Sequence, residues 1–137
     1  SSILYVNHQL GFSMEMPLNW MGQVEVKEEY GLHHQNGGNC ITFYHKTTHD
    51  NGEGGILFFI DCYPGEWSED NPPVIAGHSV VVAQTEKDTY LFRTPSDVEY
   101  SASDPVLAES YQSLIAQKDF IISHIYATGQ TVIPPNE

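Results

Sequence analysis

The sequence predicts an α+β fold, in which a single antiparallel β-sheet of about five to seven strands carries a C-terminal helix packed on one face. Two observations lead to this prediction. Segments rich in β-branched and aromatic residues alternate with turn signals through most of the chain before residue 100. One stripe of apolar residues at helical spacing follows from residue 105. Strands first and a helix last are typical of a sheet with a helix on one face.

The first predicted strands come before residue 30. Residues 3–6 form a short apolar run, and residues 10–16 alternate strictly between apolar side chains and small or polar ones. Strict alternation is typical of a half-buried strand, and Pro17 ends this one because it removes a backbone donor. We expect Trp20 to fill the core at the corner that follows. Residues 24–28 alternate in the same way and predict a further strand.

The stretch from Cys40 to Cys62 predicts a central hairpin. Two runs of β-branched and aromatic residues flank a polar segment that contains three glycines. A symmetric register about Asn51 places Cys40 directly opposite Cys62, with Phe43 and Phe59 on one face. Opposed Cα atoms in antiparallel strands lie about 4.5 to 5.5 Å apart, a separation that a disulfide spans. The sequence therefore predicts adjacent cysteines and leaves open whether they form a disulfide or stay as buried thiols.

The segment after this hairpin predicts a surface excursion, which runs from Tyr63 to Pro73 and is interrupted by prolines. A tryptophan lies within it among acidic residues: Trp67, Glu66, Glu69 and Asp70. Such a tryptophan either anchors a protein partner or folds back over the sheet, and the sequence leaves both open. A second hairpin is predicted after it, with strands at 78–84 and 89–93.

A helix is predicted to begin at Pro105, with Asp104 as its N-cap. After a break, we expect the helix to continue over residues 119–126, where apolar side chains recur at helical spacing. Residues 1–127 are long enough to bury a core of their own and are expected to form one domain. Residues 128–137 end in a proline pair and a polar stretch, and are expected to form a tail or linker.

The chain is strongly acidic. Its 137 residues include five basic and eighteen acidic side chains, which gives a formal net charge of −13. Nucleic-acid binding requires lysines and arginines that neutralise phosphates, and Arg93 is the only arginine. We therefore exclude nucleic acids and anionic membranes as partners and interpret the acidity as a soluble, self-repelling surface. No apolar run approaches the roughly 18 residues that cross a bilayer, so no membrane insertion by this segment is expected.

The residues from Leu10 to Trp20, Leu-Gly-Phe-Ser-Met-Glu-Met-Pro-Leu-Asn-Trp, resemble the strand and corner that open PsbP-like domains. Four later motifs follow in an order similar to that of small exported domains and lipoproteins of Gram-positive bacteria: Phe43–His45, Gly55–Ile60, Tyr90–Tyr100 and Tyr111–Leu114. The resemblance covers residues 5 to 126. It implies a scaffold without fixed chemistry, used for accessory and binding roles. It also implies a location that is extracellular or membrane-anchored outside the cytoplasm, with an export signal or anchor upstream of Ser1.

Seven histidines raise the question of a metal site. His45, His49 and Asp50 lie near one predicted turn, whereas His33 and His34 fall at the other end of the same strand, about 20 Å away. One ion cannot bridge that distance, and ligand spacing on a loop is not diagnostic, as HExxH on a helix would be. We therefore expect ordinary exposed histidines, with no metal site and no cofactor.

Motifs of known catalytic chemistry are missing from the sequence, including G-x-S-x-G, a Walker-type glycine loop, HExxH and C-x-x-C. We therefore expect no catalytic residues and a non-enzymatic, exported binding or accessory module, whose partner is a protein or a cell-envelope component. The alternatives are an extracytoplasmic sensor domain of a membrane-anchored protein and a small hydrolase without a recognisable motif. A deep pocket lined by titratable groups would favour the hydrolase. A shallow surface with an exposed aromatic patch would favour the binding module.

Overall fold

The computed structural model describes residues 1–31, 38–65 and 78–128. Over these ranges the chain forms eight strands, three α-helices and one 3-10 helix. The strands are β1 (Ser2–Asn7), β2 (Phe12–Pro17), β3 (Val24–Glu29), β4 (Asn39–His45), β5 (Ile56–Pro64), β6 (His78–Gln84), β7 (Asp88–Thr94) and β8 (Ile125–Ala127). The α-helices are α1 (Lys46–Asp50), α2 (Pro105–Ile115) and α3 (Lys118–Ile122), and the 3-10 helix spans Leu18–Trp20.

The strands form two antiparallel sheets instead of the predicted single sheet. The smaller sheet has the strand order β1-β2-β8, and the larger has the order β3-β4-β5-β7-β6. The prediction of one sheet is wrong because the N-terminal hairpin of β1 and β2 pairs with β8 at the end of the chain and leaves the central hairpin to the larger sheet. An alternating apolar pattern determines which face a strand buries, but it does not determine the strand with which it pairs.

The C-terminal part begins as predicted and then departs from the prediction. The side chain of Asp104 caps α2, because its Oδ1 accepts a hydrogen bond from the backbone amide of Leu107 at 3.2 Å. The predicted continuation over residues 119–126 is wrong in its second half, since α3 ends at Ile122 and the chain then forms β8. The isoleucines of this stretch are β-branched, and such residues suit a strand at least as well as a helix.

The core lies between the two sheets and beneath α2 and α3. Phe43 and Phe58 are stacked with ring centres 4.5 Å apart, and Phe92 stacks on the other side of Phe58 at 4.7 Å. These three rings cross the middle of the larger sheet on its inner face. The predicted half-buried strand and the predicted core tryptophan are confirmed, since the smaller sheet and the 3-10 helix contribute Phe12, Met14, Met16 and Trp20 to this core.

Truncation of a buried residue of α2 tests this packing. Leu114 is 2 % exposed, so we expect Leu114→Ala to lower the free energy of unfolding by about 2–5 kcal/mol through lost contacts and a residual cavity. The matched control is Val106→Ala on the same helix, where the side chain is 77 % exposed. Urea denaturation measures both variants. A loss below about 0.5 kcal/mol for Leu114→Ala would show that α2 presents a different face to the core.

Candidate functional site

Cys40 and Cys62 do not form the predicted cross-strand pair. Cys40 lies opposite Asp61, and Cys62 lies opposite Asn39, so the register differs by one residue from the symmetric one. Because side chains alternate along a strand, the two thiols point to opposite faces of the larger sheet. Both are buried and free, and Cys62 belongs to the core between the sheets. The predicted register is wrong, and so is the adjacency of the two sulfur atoms that was derived from it.

The register differs because the connection between β4 and β5 is not a simple turn. It contains α1, and the ladder then changes register next to Phe43, which lies opposite Phe58, while Tyr44 lies opposite Ile56. Leu57 is the extra residue of this β-bulge and is buried. A bulge inserts one residue on one strand only, so counting outward from the midpoint of the hairpin gives the wrong partners.

Trp67, Glu66, Glu69 and Asp70, which were predicted to bind a partner, lie outside the described residues, as do His33, His34 and residues 129–137. These predictions stay open. The remaining residues considered as metal ligands contact other groups. The ring of His49 stacks on Tyr44 with centres 4.0 Å apart, and Asp50 accepts a hydrogen bond from Lys46 at 2.9 Å. Within residues 1–31, 38–65 and 78–128, no three His, Cys, Asp or Glu side chains are grouped so that they could hold a metal ion.

His45 is buried, which corrects the expectation of an exposed side chain. Its Nδ1 lies 2.6 Å from Oγ1 of Thr48, its Nε2 lies 3.1 Å from Oγ of Ser110, and that hydroxyl lies 3.3 Å from Oε1 of Gln23. All three bonds are satisfied when Thr48 donates to Nδ1, Nε2–H donates to Ser110 and Ser110 donates to Gln23. Burial lowers the pKa of His45, which favours the neutral ring that this network requires.

The contact between His45 and Ser110 is better explained as a structural tie than as an activated nucleophile. In the tautomer that satisfies the network, the ring donates to Ser110 and therefore cannot accept its proton. Ser110 also lies in the middle of α2. Backbone N–H groups in a helix interior already donate to the preceding turn, so they cannot stabilise an oxyanion beside the hydroxyl. The network instead joins β4 and α1 to α2.

The only arginine of the sequence, Arg93, forms a buried ion pair that the sequence analysis missed. Its Nε donates to Oδ2 of Asp61 at 2.6 Å, and its Nη2 donates to Oδ1 at 3.1 Å. The guanidinium carbon lies 3.9 Å from the centre of the Phe59 ring, and Nη2 lies 3.8 Å from Sγ of Cys40. Phe59 is opposite Arg93 across the β5–β7 ladder, so these groups share the outer face of the larger sheet.

The electrostatics of this cluster keep its thiol unreactive. Burial opposes the guanidinium charge, but the hydrogen bonds and the charge of Asp61 raise the pKa of Arg93 above its ordinary value. Burial, followed by the charge of Asp61, raises the pKa of the Cys40 thiol to about 12. Because the thiolate is the nucleophilic form, Cys40 is protonated and inert at neutral pH. The cluster therefore has a structural role: the ion pair and the protonated thiol pack against each other on the outer face of the larger sheet.

The outer face of the smaller sheet, called the open face from here on, exposes large apolar side chains. Leu4 is 63 % exposed, Val6 is 43 % exposed and Tyr126 is 46 % exposed. Val6, Ser13 and Tyr126 form one row across the three strands, and Leu4 lies opposite Glu15 in the next row. The open face consists of Ser2, Leu4, Val6, Ser13, Glu15 and Tyr126.

Glu15 lies at the centre of the open face. Its Oε1 accepts a hydrogen bond from the Ser2 hydroxyl at 2.7 Å, and its Oε2 accepts one from the Tyr126 hydroxyl at 3.1 Å. These bonds, the one from Ser2 first, lower the pKa of Glu15 below its ordinary value, because hydrogen bonding to the charged form favours that form. The open face therefore presents an oriented carboxylate among apolar side chains.

In the part of the chain that the structure describes, no strand pairs with the outer edge of β1, and β1 lacks the features that protect an edge against pairing. The six residues of β1 include no charge and no proline, and their ladder with β2 runs without a bulge. The other edge strands are protected. Four of the six residues of β3 are charged, β6 has a bulge, and β8 has only three residues. Natural sheets protect edges by these means, so the exception at β1 marks it as a place where a strand can add.

Comparisons with protein-family models, with curated proteins and with solved structures find no match for this chain. The resemblance to PsbP-like domains therefore stays a prediction that rests on the motifs themselves. Among the described residues, no helix is both long enough and apolar enough to cross a membrane. Any assignment of function rests on the geometry of the surfaces and clusters described above.

A pH titration of stability tests the burial of His45. An unfolded histidine titrates near pH 6.5, as a rough reference value. Since burial lowers the pKa of His45 in the folded state, the unfolded chain takes up the proton first as the pH falls. We expect stability to decrease below about pH 6.5, by up to about 1.4 kcal/mol per pH unit from this residue. Urea denaturation of wild type, His45→Gln and the exposed control His8→Gln measures the effect. Equal pH slopes for wild type and His45→Gln would contradict it.

Removal of one member of the Asp61–Arg93 pair should destabilise the protein more than removal of both. Asp61→Ala leaves a buried guanidinium without its carboxylate, at an expected cost of about 3–5 kcal/mol. The double variant Asp61→Leu/Arg93→Met removes both charges and is expected within about 2 kcal/mol of wild type. Urea denaturation compares the two, with Lys27→Ala, from an exposed ion pair, as the control. Similar losses in the single and double variants would show that the charges are not coupled.

Proposed function

We propose that this chain is a non-enzymatic binding or accessory module that works outside the cytoplasm and contacts a protein or cell-envelope component through the open face. The observation that carries the proposal is the exposure of Leu4, Val6 and Tyr126 around the carboxylate of Glu15. Exposed apolar side chains that form a continuous patch with polar groups mark interaction sites. Tyrosine is also enriched among the residues that dominate binding energies.

The charge of this part of the chain favours a basic partner. No lysine or arginine precedes Lys27, so β1 and β2 contain no cationic residue of either type. Glu15 of β2 contributes a negative charge there, and the whole chain has a net charge of −13. A partner that places a lysine or arginine against Glu15 gains complementary charge and a faster encounter. The same field repels phosphates, which supports the exclusion of nucleic acids and anionic membranes.

The non-enzymatic part of the proposal is supported by the way in which the most reactive side chains are used. Both ring nitrogens of His45 are engaged in the network with Thr48 and Ser110. The thiol of Cys40 is buried beside Arg93, and its pKa is raised to about 12. The hydrogen-bonded ring of His45 and the buried thiol of Cys40 therefore stabilise the fold. The location outside the cytoplasm rests on the resemblance of residues 5 to 126 to small exported domains and lipoproteins.

Substitution of Tyr126 tests the proposed binding surface. Tyr126→Ala removes an exposed ring and one hydrogen bond to Glu15, so we expect the affinity for the partner to fall by at least about tenfold while the fold is retained. The control Val98→Ala changes a residue that is 73 % exposed and lies outside the open face, and it should leave affinity unchanged.

The measurement has two steps. The immobilised full chain captures components from the envelope fraction of the native organism, and the captured component is then titrated against wild type and both variants by biolayer interferometry. Retention of full affinity by Tyr126→Ala would exclude the open face as the binding surface.

A further inference from the structure

We infer that the partner presents an extended polypeptide segment of alternating apolar and basic residues, which adds as a fourth strand to the free edge of β1. This inference rests on the proposed function, and it names the class of partner and the way in which that partner binds. It chooses a polypeptide over a polysaccharide or lipid component of the envelope, because backbone pairing requires peptide N–H and C=O groups.

The free edge of β1 supplies the backbone part of the recognition. In the described sheets β1 pairs with β2 on one side only, since it stands first in the order β1-β2-β8. Three of its six residues, Ile3, Tyr5 and Val6, are of types enriched in strands, and none of the six carries a charge that would deter pairing. Strand addition derives affinity from main-chain hydrogen bonds and specificity from alternate side chains. The exposed Leu4 and Val6 offer an apolar surface to every second side chain of the added strand.

Carboxylates flank β1 on both faces, and the one on the inner side accounts for the basic character of the partner. On the open face, Glu15 lies opposite Leu4 on the neighbouring strand. On the inner side, the Tyr5 hydroxyl donates to Oε2 of Glu28, and Nδ2 of Asn7 lies 3.3 Å from the same oxygen. Both carboxylates are thus oriented by neighbours along the strand. Because side chains alternate along a strand, an added strand with its apolar residues beside Leu4 and Val6 has its lysines or arginines on the inner side, toward the carboxylate of Glu28.

A second copy of this chain is the less favourable occupant. Two copies paired at β1 would join molecules that each have a formal net charge of −13. Their Glu15 and Glu28 side chains would also approach without any lysine or arginine from β1 or β2 between them. Like charges brought together at an interface oppose association. A basic segment avoids this repulsion. The negative charge of the chain therefore favours a basic partner over a second copy.

The test uses the full chain and a fluorescent octapeptide of alternating valine and lysine as the probe. Fluorescence anisotropy at low ionic strength measures its dissociation constant. Two control peptides separate the contributions. N-methylation of every second backbone nitrogen removes the N–H donors along one edge of the peptide and should weaken binding by at least about tenfold. Replacement of the lysines by glutamates should weaken it by at least about tenfold as well, because the new charges repel Glu28.

A pair of matched variants locates the binding edge. Val6→Lys places a cation on β1 at a position that is 43 % exposed, in the way that natural sheets protect an edge, and should weaken binding of the lysine peptide by about tenfold. Val98→Lys adds the same charge at an exposed site elsewhere and should change the affinity by less than about twofold. Thermal melts confirm that both variants remain folded.

The outcomes separate this inference from the proposed function. Equal binding of the parent and N-methylated peptides, or no binding of the parent peptide, would overturn strand addition at β1. The proposed function would then still stand if Tyr126→Ala weakens capture of the envelope partner, and it would fail if that substitution has no effect. A dimer that sediments as such in wild type and disappears in Val6→Lys would identify a second copy as the occupant and overturn the basic segment.

Discussion

The register between β4 and β5 determines both how the aromatic core packs and how the buried charges pair. With the bulge at Leu57, Phe43 faces Phe58, and the two rings stack with Phe92 to form the centre of the core. A shift of one residue would turn every side chain of one strand to the other face. Asp61 would then point into the apolar layer between the sheets, away from Arg93. Both the aromatic core and the buried ion pair therefore require the same register, and each contributes to fixing it.

The two sheets use their outer faces in different ways. The larger sheet buries the Asp61–Arg93 pair on its outer face, with Cys40 and Phe59 beside it, so the charges at the middle of this face are matched within the protein. The smaller sheet leaves Leu4, Val6 and Tyr126 in contact with solvent around an oriented carboxylate. Burying polar groups while exposing apolar ones reverses the usual order within a domain of this size. The proposed function follows from this contrast. A bound partner would cover the exposed apolar side chains of the smaller sheet, whereas the larger sheet has its charged pair already buried.

The sequence predicted local features that one strand or helix determines alone. The alternation around Met14 and the capping of α2 by Asp104 are such features, and the structure confirms both. The number of sheets was not predictable, since the pattern of β2 does not reveal that its partner is β8 at the far end of the chain. The sequence did contain an indication of the buried ion pair, because Asp61 and Arg93 are each a single charged residue at the end of an apolar run. The open face was visible as an apolar run at residues 3–6, but such a run is also typical of a buried strand, so its exposure could not be inferred.

The most direct test of the register is a set of nuclear Overhauser contacts between Hα atoms across β4 and β5 in the labelled full chain. In antiparallel ladders the residues of every second opposed pair approach closely enough to give strong Hα–Hα contacts. The structure predicts such contacts either within Ile41–Ile60 and Phe43–Phe58 or within Cys40–Asp61 and Thr42–Phe59. Contacts of Thr42 with Ile60, or of Phe43 with Phe59, would establish the symmetric register instead, and would contradict both the core and the buried ion pair described here.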